Sequence, residues 1–585
     1  MSLTSFQKNY IKKNFQKLSV NQISSDLSLP EKTIKKFLKK RLSPEKYAKI
    51  TNQSESHYFD AENHRQNPDF KLRDFLAKNT NTIIFLFLII FLVYFNSLGN
   101  DFVSDDIAGI KNNPRIGDFS LVLSSPMGFF QRLIYFSIFK IGGLNPMLFR
   151  IPNIIFHFGS VVLVYLILNI LTYRKSLAII AAILTAVHPI LVESVSWISG
   201  SLYVEYGFFL LLSFLFYILY EDKRKYWSVL FFIIALIFSE KALIFPGIIF
   251  VYELANGKLR QNWKSLIPSS VISFFFLLTY LLLGKIGQRV SDISSVSYQD
   301  SSGLYNPLIQ VPTAIANYLK LIFWPQKLTL YQTEMNFTNV QFAFILLVFI
   351  TFLGFIFYGW KKNRLLFFWL CFFVISLSPT LTPFKISWVV AERYAYLGSI
   401  GIFISIAMFL NWIFEKAKEK DNNYKMIALS LIILIIIALS ARTITRNVDW
   451  KNEDNLWIAT GKFSSSGPNI HNNLGDVYAR HSEFDKAAEE FKKAIQINPN
   501  YADAYHNLAN TYKSMGKNEL AMENYQKALS INPNIWQSHQ NLAALYYEMG
   551  DFQKAKESME KAVFFNPQDE NLKKNLEFVK SQLGK

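Results

Sequence analysis

Long apolar segments alternate with short polar loops from about residue 81 to residue 441. A helix that crosses a bilayer needs about 20 mostly apolar residues, so each long segment predicts one crossing. Eleven crossings are predicted, at 81–98, 146–171, 176–192, 203–220, 226–239, 242–254, 265–284, 340–359, 365–379, 392–414 and 426–441. The pattern predicts an all-α polytopic membrane domain with interfacial helices, one of them the amphipathic stretch around 129–139.

Basic residues cluster at every second connection between these segments. The clusters are Lys71, Arg73 and Lys78; Arg174 and Lys175; Lys223, Arg224 and Lys225; Lys258, Arg260 and Lys264; Lys361, Lys362 and Arg364; and the stretch 416–425. Lys and Arg are enriched in cytoplasmic loops. All the clusters share that side only if a weaker apolar segment at 307–325 is re-entrant or interfacial. The N-terminus is then cytoplasmic, and the 99–145 loop and the C-terminal region lie outside.

Residues 1–50 predict a small helical arm in front of the membrane domain. Apolar residues recur at helical spacing from Leu18 to Leu38, and Pro30 stands where a second helix would start. The arrangement resembles a short helix-turn-helix with a Lys-rich second helix. It is open to three interpretations: a DNA-binding unit, a basic arm on anionic lipid, or a plain cytoplasmic appendage. Nucleic acid is not the expected partner, and residues 51–78 are predicted to be a linker.

Composition supports the membrane assignment. Hydrophobic residues make up 51% of the 585 residues, and the net charge is +18. Part of that charge comes from the first 78 residues, which hold 16 Lys and Arg against 8 Asp and Glu. Cys371 is the single cysteine, so an intrachain disulfide is excluded.

The last quarter of the chain repeats with a period of 34 residues. Matching positions are Asn473, Asn507 and Asn541; Tyr478, Tyr512 and Tyr546; Ala487, Ala521 and Ala555; Ala494, Ala528 and Ala562; and Pro499, Pro533 and Pro567. This is the pattern of tetratricopeptide (TPR) repeats, which pair two helices per repeat. A half repeat at 449–463, three repeats and a closing helix are predicted. The membrane domain is therefore predicted to span 79–445 and the solenoid 446–585.

Two adjacent acids, Asp105 and Asp106, follow the first crossing. A partly buried carboxylate at the edge of a membrane domain suits proton transfer, although an Asp-Asp pair before a short helix is also a common solvated cap. The predicted topology brings further charges to the same face: Arg132, His188, Glu193, Glu240, Lys241, Glu392 and Arg393. Charges near a bilayer are costly and mark functional sites, but neighbouring Glu–Lys and Glu–Arg pairs also fit local ion pairs.

The sequence has no metal-ligand spacing and no nucleotide-binding loop. His188 precedes Pro189 with no second His or Cys at a ligand spacing, which is more typical of a hydrogen-bonded structural residue. No metal site is predicted, and dependence on a divalent metal is left open. If the donor substrate is activated, a lipid-linked sugar suits an outward-facing pocket.

Several stretches resemble the transmembrane and tetratricopeptide-repeat O-mannosyltransferases, membrane glycosyltransferases of the GT-C type. They are Asp101 to Asp106 with Asn113-Pro114; Arg132 with Gly142 to Pro146; His188 to Glu193 with Trp197 and Gly200; Tyr318 with Trp324-Pro325; Ala391 to Tyr396 with Gly398 to Gly401; and Arg446-Asn447 with Trp450. The sequence departs from the family at Ser201, often Arg there, and at Ser239 to Lys241, where the acid and base are reversed.

The resemblance implies that mannose moves from a polyprenyl or dolichyl phosphate to Ser or Thr of a protein, with inversion. It implies Asp105 or Asp106 as the base and Arg132, Arg393 and His188 as ligands of the donor phosphate, with Glu193, Glu240, Lys241 and Glu392 as support. A non-catalytic TPR scaffold or a lipid-linked-sugar transporter is the alternative. A bacterial plasma membrane is favoured over an endoplasmic reticulum by the Lys-, Asn-, Ile- and Phe-rich usage.

The repeated Asn473, Asn507 and Asn541 are similar to an asparagine ladder that holds an acceptor backbone in some sugar-transferring TPR enzymes. An amide both donates and accepts hydrogen bonds, which suits a peptide backbone. Polar positions that only cap or solvate the first helix of each repeat are the alternative.

Overall fold

The computed structural model describes residues 3–15, 20–27, 29–39, 41, 72–220, 225–283, 306–330, 332, 337–381, 389–464 and 466–583. Helices and loops make up this described part of the chain, and no β-strand occurs in it. The all-α prediction is therefore confirmed, with apolar helices followed by a TPR helical repeat.

Three short helices form the N-terminal unit: α1 Ser5–Asn14, α2 Val20–Leu27 and α3 Glu31–Lys39. Thr4 and Gln7 form a capping box at the start of α1, which satisfies two of its first amide groups. The apolar residues that the sequence pattern predicted to share a face pack together in one core, made by Ile11, Val20, Ile23, Leu29, Ile34 and Leu38.

Seventeen further helices form the membrane bundle within the described residues. They are α4 Leu72–Lys78, α5 Thr80–Tyr94, α6 Phe119–Leu123, α7 Phe129–Gly142, α8 Pro146–Thr172, α9 Lys175–Val187, α10 Val192–Ser196, α11 Ser201–Leu219, α12 Tyr226–Phe238, α13 Phe245–Ala255, α14 Leu259–Asn262, α15 Ile267–Leu282, α16 Pro307–Phe323, α17 Asn339–Lys362, α18 Arg364–Leu377, α19 Tyr396–Lys420 and α20 Asn422–Asp449. Helix α16 occupies the weaker apolar segment.

Within the part of the chain that the structure describes, seven helical segments are long and apolar enough to cross a membrane, and an eighth is added if a bent pair counts as one span. The seven are Thr80–Gly99, Pro146–Thr172, Ile198–Leu219, Leu259–Leu282, Asn339–Lys362, Glu392–Lys420 and Asn422–Asp449. The remaining predicted crossings, 226–239, 242–254 and 365–379, coincide with the shorter helices α12, α13 and α18. The molecule is an integral membrane protein.

The bent pair runs from Lys175 to Ser196 and turns by 51°. Pro189 comes two residues after the end of α9 and cannot donate a helical hydrogen bond, so the helix does not continue beyond Val187. The chain then passes through a single turn into α10. This break places His188 and Glu193 at one end of the bundle instead of within a continuous span.

The centre of the bundle is built by the most buried spans. The apolar window of α19 is 61% buried, whereas that of α17 is 6% buried and lies at the periphery. Helices α18 and α19 approach closely at Gly401, where an added Cβ would lie 2.3 Å from the Trp369 carbonyl oxygen. A side chain at position 401 would therefore separate the two helices.

The C-terminal helices form the predicted solenoid. They are α21 Glu453–Gly461, α22 Pro468–Arg480, α23 Phe484–Ile497, α24 Ala502–Ser514, α25 Asn518–Ile531, α26 Trp536–Glu548, α27 Phe552–Phe565 and α28 Glu570–Leu583. The alanines repeated at 34 residues, Ala487, Ala521 and Ala555, are fully buried because the paired helices meet there. Helix α21, three helix pairs and α28 follow one another along this region.

Candidate active site at the loop end of the bundle

The acidic loop, residues 99–106, leaves the first span and turns back over the end of the bundle. Its last residue, Asp106, is fully buried. Asp106 Oδ1 accepts hydrogen bonds from the Ser199 amide at 2.8 Å and the Ser199 hydroxyl, and Oδ2 accepts from the Val103 amide at 3.3 Å. Burial raises the pKa of Asp106 to about 6, while these hydrogen bonds and the nearby Arg150 charge lower it. Asp106 therefore fixes the shape of the loop.

Asp105 has the opposite environment. Its side chain is exposed, and within the described residues no group donates a hydrogen bond to it. The preceding Ser104 has a φ of 53°, a left-handed conformation that non-glycine residues rarely adopt. This strained residue turns the chain between the buried Val103 and the exposed Asp105. The structure thus separates the two acids that the sequence left equivalent.

The end of α20 and the start of the solenoid contact the acidic loop. The Asn100 side chain donates to the Asn447 carbonyl at 2.9 Å, and the Asp101 amide donates to the Lys451 carbonyl at 2.8 Å. The amide of the strained Ser104 donates to the Glu453 carboxylate. Glu453 therefore accepts the hydrogen bond of the backbone amide at the turn directly before Asp105.

A buried arginine donates hydrogen bonds to the same loop. Arg150 of α8 is fully buried and donates to the carbonyls of Ser196 at 2.6 Å, Asn100 at 2.9 Å and Asp101 at 3.0 Å. A buried guanidinium needs such partners, because an unsatisfied buried charge costs several kcal/mol, on the order of 3–5. Arg150 is a site residue that the sequence analysis missed, although a lone charge inside the apolar run 146–171 was a usable signal.

Trp197 connects the acidic loop with the predicted phosphate ligand Arg393. The indole N–H of Trp197 donates to the Val103 carbonyl at 3.2 Å. The Arg393 guanidinium carbon lies 5.6 Å from the centre of the Trp197 ring, and Trp450 stacks on Trp197 with ring centres 5.5 Å apart. Trp197 therefore links the loop that carries the two acids to Arg393.

Three ion pairs order this neighbourhood. The fully buried Glu193 accepts from the Arg393 amide at 2.9 Å and from its guanidinium. The fully buried Arg446 binds Glu392 at 2.9 Å and Asp449 at 3.0 Å. Glu193, Arg393 and Glu392 were predicted to gather on one face, and they do so here. Arg446 was noted only within a motif, without a role.

Lys241 and Arg393 lie over the same aromatic ring. Lys241 Nζ is 5.9 Å from the centre of the Tyr394 ring, and the Arg393 guanidinium carbon is 5.0 Å from it. Lys241 also lies 5.1 Å from the Tyr203 ring and 4.0 Å from the Glu240 carboxylate. The side chains of Lys241 and Arg393 are 19% and 11% exposed, so both cations retain some access to solvent.

The other two predicted phosphate ligands are engaged by the protein itself. Arg132 donates to the carbonyls of Met127 at 2.8 Å and of Ser125. His188 accepts from the Ile190 amide at Nδ1 and lies 2.9 Å from the Ile322 carbonyl at Nε2, so both ring nitrogens are occupied. Both residues therefore hold loops, and their role as ligands of the donor phosphate stays a prediction.

The three repeated asparagines line up on the first helices of successive repeats. Asn507 donates to the Asn472 side chain at 3.0 Å, and Asn541 donates to the Asn510 side chain at 2.9 Å. Asn473, Asn507 and Asn541 are all partly exposed. Amide contacts between repeats thus order this row, and its acceptor-binding role stays a prediction.

Among the described residues, no three His, Cys, Asp or Glu side chains form a group that could hold a metal.

These features define an integral membrane protein in which a charged end of a helical bundle is joined to a TPR solenoid. Profiles described as TPR repeat, Tetratricopeptide repeat and Tetratricopeptide repeat match residues 475–516, 502–535 and 524–557. Among solved structures, the first TPR of Spaghetti (RPAP3) bound to an HSP90 peptide is 17% identical, with a TM-score of 0.20 over 21% of this chain and 96% of that chain.

The curated relatives carry the name that the sequence motifs suggested. Protein O-mannosyl-transferase TMTC3 of Homo sapiens is 25% identical over 491 residues, which cover 73% of this chain and 52% of the relative. The Mus musculus protein of the same name is 25% identical over 74% of this chain and 53% of its own length. Protein O-mannosyl-transferase tmtc2 of Xenopus laevis is 23% identical over 70% of this chain and 62% of its own. The chain spans about half the length of the first two, and the resemblance is confirmed.

Proposed function

We propose that this chain is a membrane glycosyltransferase that transfers mannose from a polyprenyl phosphate to a Ser or Thr hydroxyl of a protein. The observation that carries the proposal is the contrast within the acidic loop. One acid is buried and fixes the backbone, and its neighbour is exposed, in a loop that Trp197 connects to Arg393. The names of the relatives support the same activity.

Asp105 is the proposed general base. A base must reach the proton that it removes, within about 2.6–3.2 Å, and must not already be occupied by donors. Asp105 is exposed and accepts no hydrogen bond within the described residues, whereas the two oxygens of Asp106 already accept three. Asp106 is therefore a positioning residue in this proposal.

Arg393 and Lys241 are the proposed ligands of the donor phosphate. A guanidinium has five N–H groups, so the contact with Glu193 orients Arg393 without using its whole capacity. Positive charges held in place in advance stabilise negative charge that develops on a departing group. The shared Tyr394 ring keeps the two cations on one site, which suits a phosphate that gains charge as it leaves.

The proposed reaction is a single displacement. The acceptor oxygen forms a bond to the anomeric carbon, and the bond between that carbon and the phosphate oxygen breaks. The hydroxyl proton goes to Asp105, and polyprenyl phosphate leaves with the electron pair of the broken bond. The configuration at the anomeric carbon is therefore inverted.

The proposed orientation puts the N-terminus in the cytoplasm and the loop end of the bundle with the solenoid on the other side, in a bacterial plasma membrane. The solenoid would bind the acceptor protein, because TPR stacks present concave binding surfaces. Protease added to intact spheroplasts should cleave the solenoid and leave an N-terminal epitope tag protected. Protection of the solenoid would contradict this orientation.

The activity is tested with the purified full-length protein in nanodiscs. The assay supplies radiolabelled polyprenyl-phosphate mannose and a Ser/Thr-rich peptide, with GDP-mannose as the control donor. Label should pass to the peptide from the lipid donor only, and NMR of the product should show inversion. A retained configuration would exclude the single displacement. Absence of transfer, with the lipid donor still bound, would favour the scaffold or transporter alternative.

A further inference from the structure

The N-terminal unit lies outside the proposed reaction. Its helices have the order and spacing of a helix-turn-helix, with α2 ending at Leu27 and α3 beginning at Glu31. The connection is hydrogen-bonded: the Ser24 hydroxyl donates to the Leu29 carbonyl at 2.5 Å, and the Thr33 amide donates to the Pro30 carbonyl at 2.8 Å. Helix α1 packs on α2 and contributes Ile11 to their common core. The arm is thus a folded three-helix unit.

The surface of this unit is basic. The described stretches up to residue 41 contain eight Lys and Arg but only two acids, Asp26 and Glu31. Asp26 accepts from the Tyr10 hydroxyl at 2.7 Å, and Glu31 pairs with Lys35 at 3.3 Å. Glu31 is therefore partly neutralised within the unit, Asp26 keeps its charge, and Lys and Arg remain in excess over the two acids.

The basic residues of α3 follow a helical register. Ile34 and Leu38 are buried, and by the helical register positions 32, 36 and 39, all lysines in the sequence, fall on the opposite side of the helix backbone. Lys36 is exposed. In a helix-turn-helix, the second helix enters the major groove and its outer face meets the bases and phosphates.

The same core argues against a membrane surface as the partner. A helix that lies in a bilayer interface must present an apolar face to the lipid. Here that face is used inside the unit, where Ile11, Ile23 and Ile34 have no exposed surface. Phe6 is the large hydrophobic residue that the described part of the unit exposes strongly, at 72%. A single exposed ring does not form an apolar stripe.

We propose that the N-terminal unit binds double-stranded DNA, with α3 in the major groove. The sequence pattern left three interpretations open, and nucleic acid was not the expected partner. The closed apolar core, and the lysine positions on the opposite side of α3, favour DNA over lipid. The protein would then hold a DNA segment at the membrane while its other end carries out a separate function.

The test uses the full chain in phosphatidylcholine nanodiscs and a fluorescein-labelled mixed-sequence duplex of about 30 base pairs, which spans three turns of the groove. Anisotropy is measured from 50 to 200 mM KCl. The combined Lys32→Gln, Lys36→Gln and Lys39→Gln variant should weaken binding at least about tenfold and reduce the salt slope by about 2–3, as expected for three lost phosphate contacts.

Two matched variants separate groove binding from plain charge attraction. Lys8→Gln, Lys12→Gln and Lys13→Gln remove the same charge from α1 and should weaken binding less than threefold, roughly one phosphate contact or fewer. Changing positions 32, 36 and 39 to Arg should preserve binding and show that the unit folds. Equal losses in the two Gln variants would overturn groove insertion. Binding to phosphatidylglycerol nanodiscs, with none to the duplex, would assign the surface to lipid instead.

Discussion

The solenoid and the loop end of the bundle use polar contacts in different ways. In the solenoid, side-chain amides pair across repeats at short sequence separations, 35 residues for Asn507 with Asn472 and 31 for Asn541 with Asn510. At the loop end, Asp106 binds Ser199 across 93 residues, and Ser104 binds Glu453 across 349. The solenoid contacts are local and nearly repeated. Each contact at the loop end occurs once.

The difference predicts how each region responds to mutation. Contacts in a stack of repeats contribute separately and roughly additively, because each repeat touches only its neighbours. A network in which every residue has a distinct position fails when one member is removed, since the groups left behind are buried and unsatisfied. Substitutions at the loop end should therefore have large effects, and those in the solenoid small ones.

The largest effect is expected for Asp105→Asn. Loss of a general base typically slows catalysis by about 10²- to 10⁴-fold. Because Asp105 is exposed, the thermal unfolding temperature should not change. Asp118→Asn is the matched control, an exposed acid between the same two spans, and should transfer mannose at the normal rate. Normal transfer by Asp105→Asn would contradict the assignment of the base.

Arg393→Lys should come next. Lysine retains the charge but loses the planar fork that binds Glu193 and lies over Trp197, so the phosphate would meet a misplaced cation. We expect kcat to fall by about 10²-fold, the usual size of one lost electrostatic contact in a transition state. Steady-state kinetics with the lipid donor would measure it. The control is Lys140→Arg in α7, because Lys140 lies over the Phe136 ring and, within the described residues, makes no hydrogen bond or ion pair with Arg393, Glu193 or Trp197. An unchanged kcat in Arg393→Lys would remove Arg393 from the site.

Glu453→Gln tests whether the solenoid orients the acidic loop. The Ser104 amide would keep an oxygen acceptor, but it would lose the charge that favours the left-handed turn, about 1 kcal/mol. Transfer should fall by roughly tenfold or less through kcat, with donor KM unchanged. Hydrogen exchange at residues 101–106 should increase at the same time. A loss of activity without faster exchange would show that Glu453 acts in some other way.

The sequence predicted the solenoid in detail and the loop end only in part, for a physical reason. A 34-residue period fixes register, so each repeat could be placed by its alanines and asparagines. Apolar segments also located the membrane helices. The period carries no information about Glu453 or Asn447. These residues contact the acidic loop from positions 349 and 347 residues further along the sequence. The sequence also offered no way to distinguish Asp105 from Asp106. The structure does so, because the chain turns at Ser104 and leaves Asp105 exposed and Asp106 buried.

Asp106 should make stability depend on pH with a defined sign. Its pKa is about 6 in the folded protein and about 3.9 for an unperturbed Asp, so between these values the folded state binds more protons than the unfolded state. Stability therefore falls as pH rises through the window from about 4 to 6, by roughly 2–3 kcal/mol, and is level above it. Asp106→Asn removes this titration. The unfolding temperature of the unmodified protein, relative to that of Asp106→Asn, should therefore fall between pH 4.5 and 7. An equal change in both proteins would contradict this account.

The smallest effect is expected in the solenoid, at Asn507→Ala. The change removes one amide contact with Asn472, worth about 1 kcal/mol, and one place on the proposed acceptor row. Because the neighbouring repeats keep their own asparagines, KM for a peptide acceptor should rise by less than about tenfold while kcat stays unchanged, the sign of lost ground-state binding. Asn524→Ala is the matched control, since that side chain bonds only within its own helix, to the Leu520 carbonyl. If the two variants bind peptide equally well, the asparagine row serves only to join repeats. If Asn507→Ala abolishes transfer, the solenoid is not the redundant region that its repeated contacts predict.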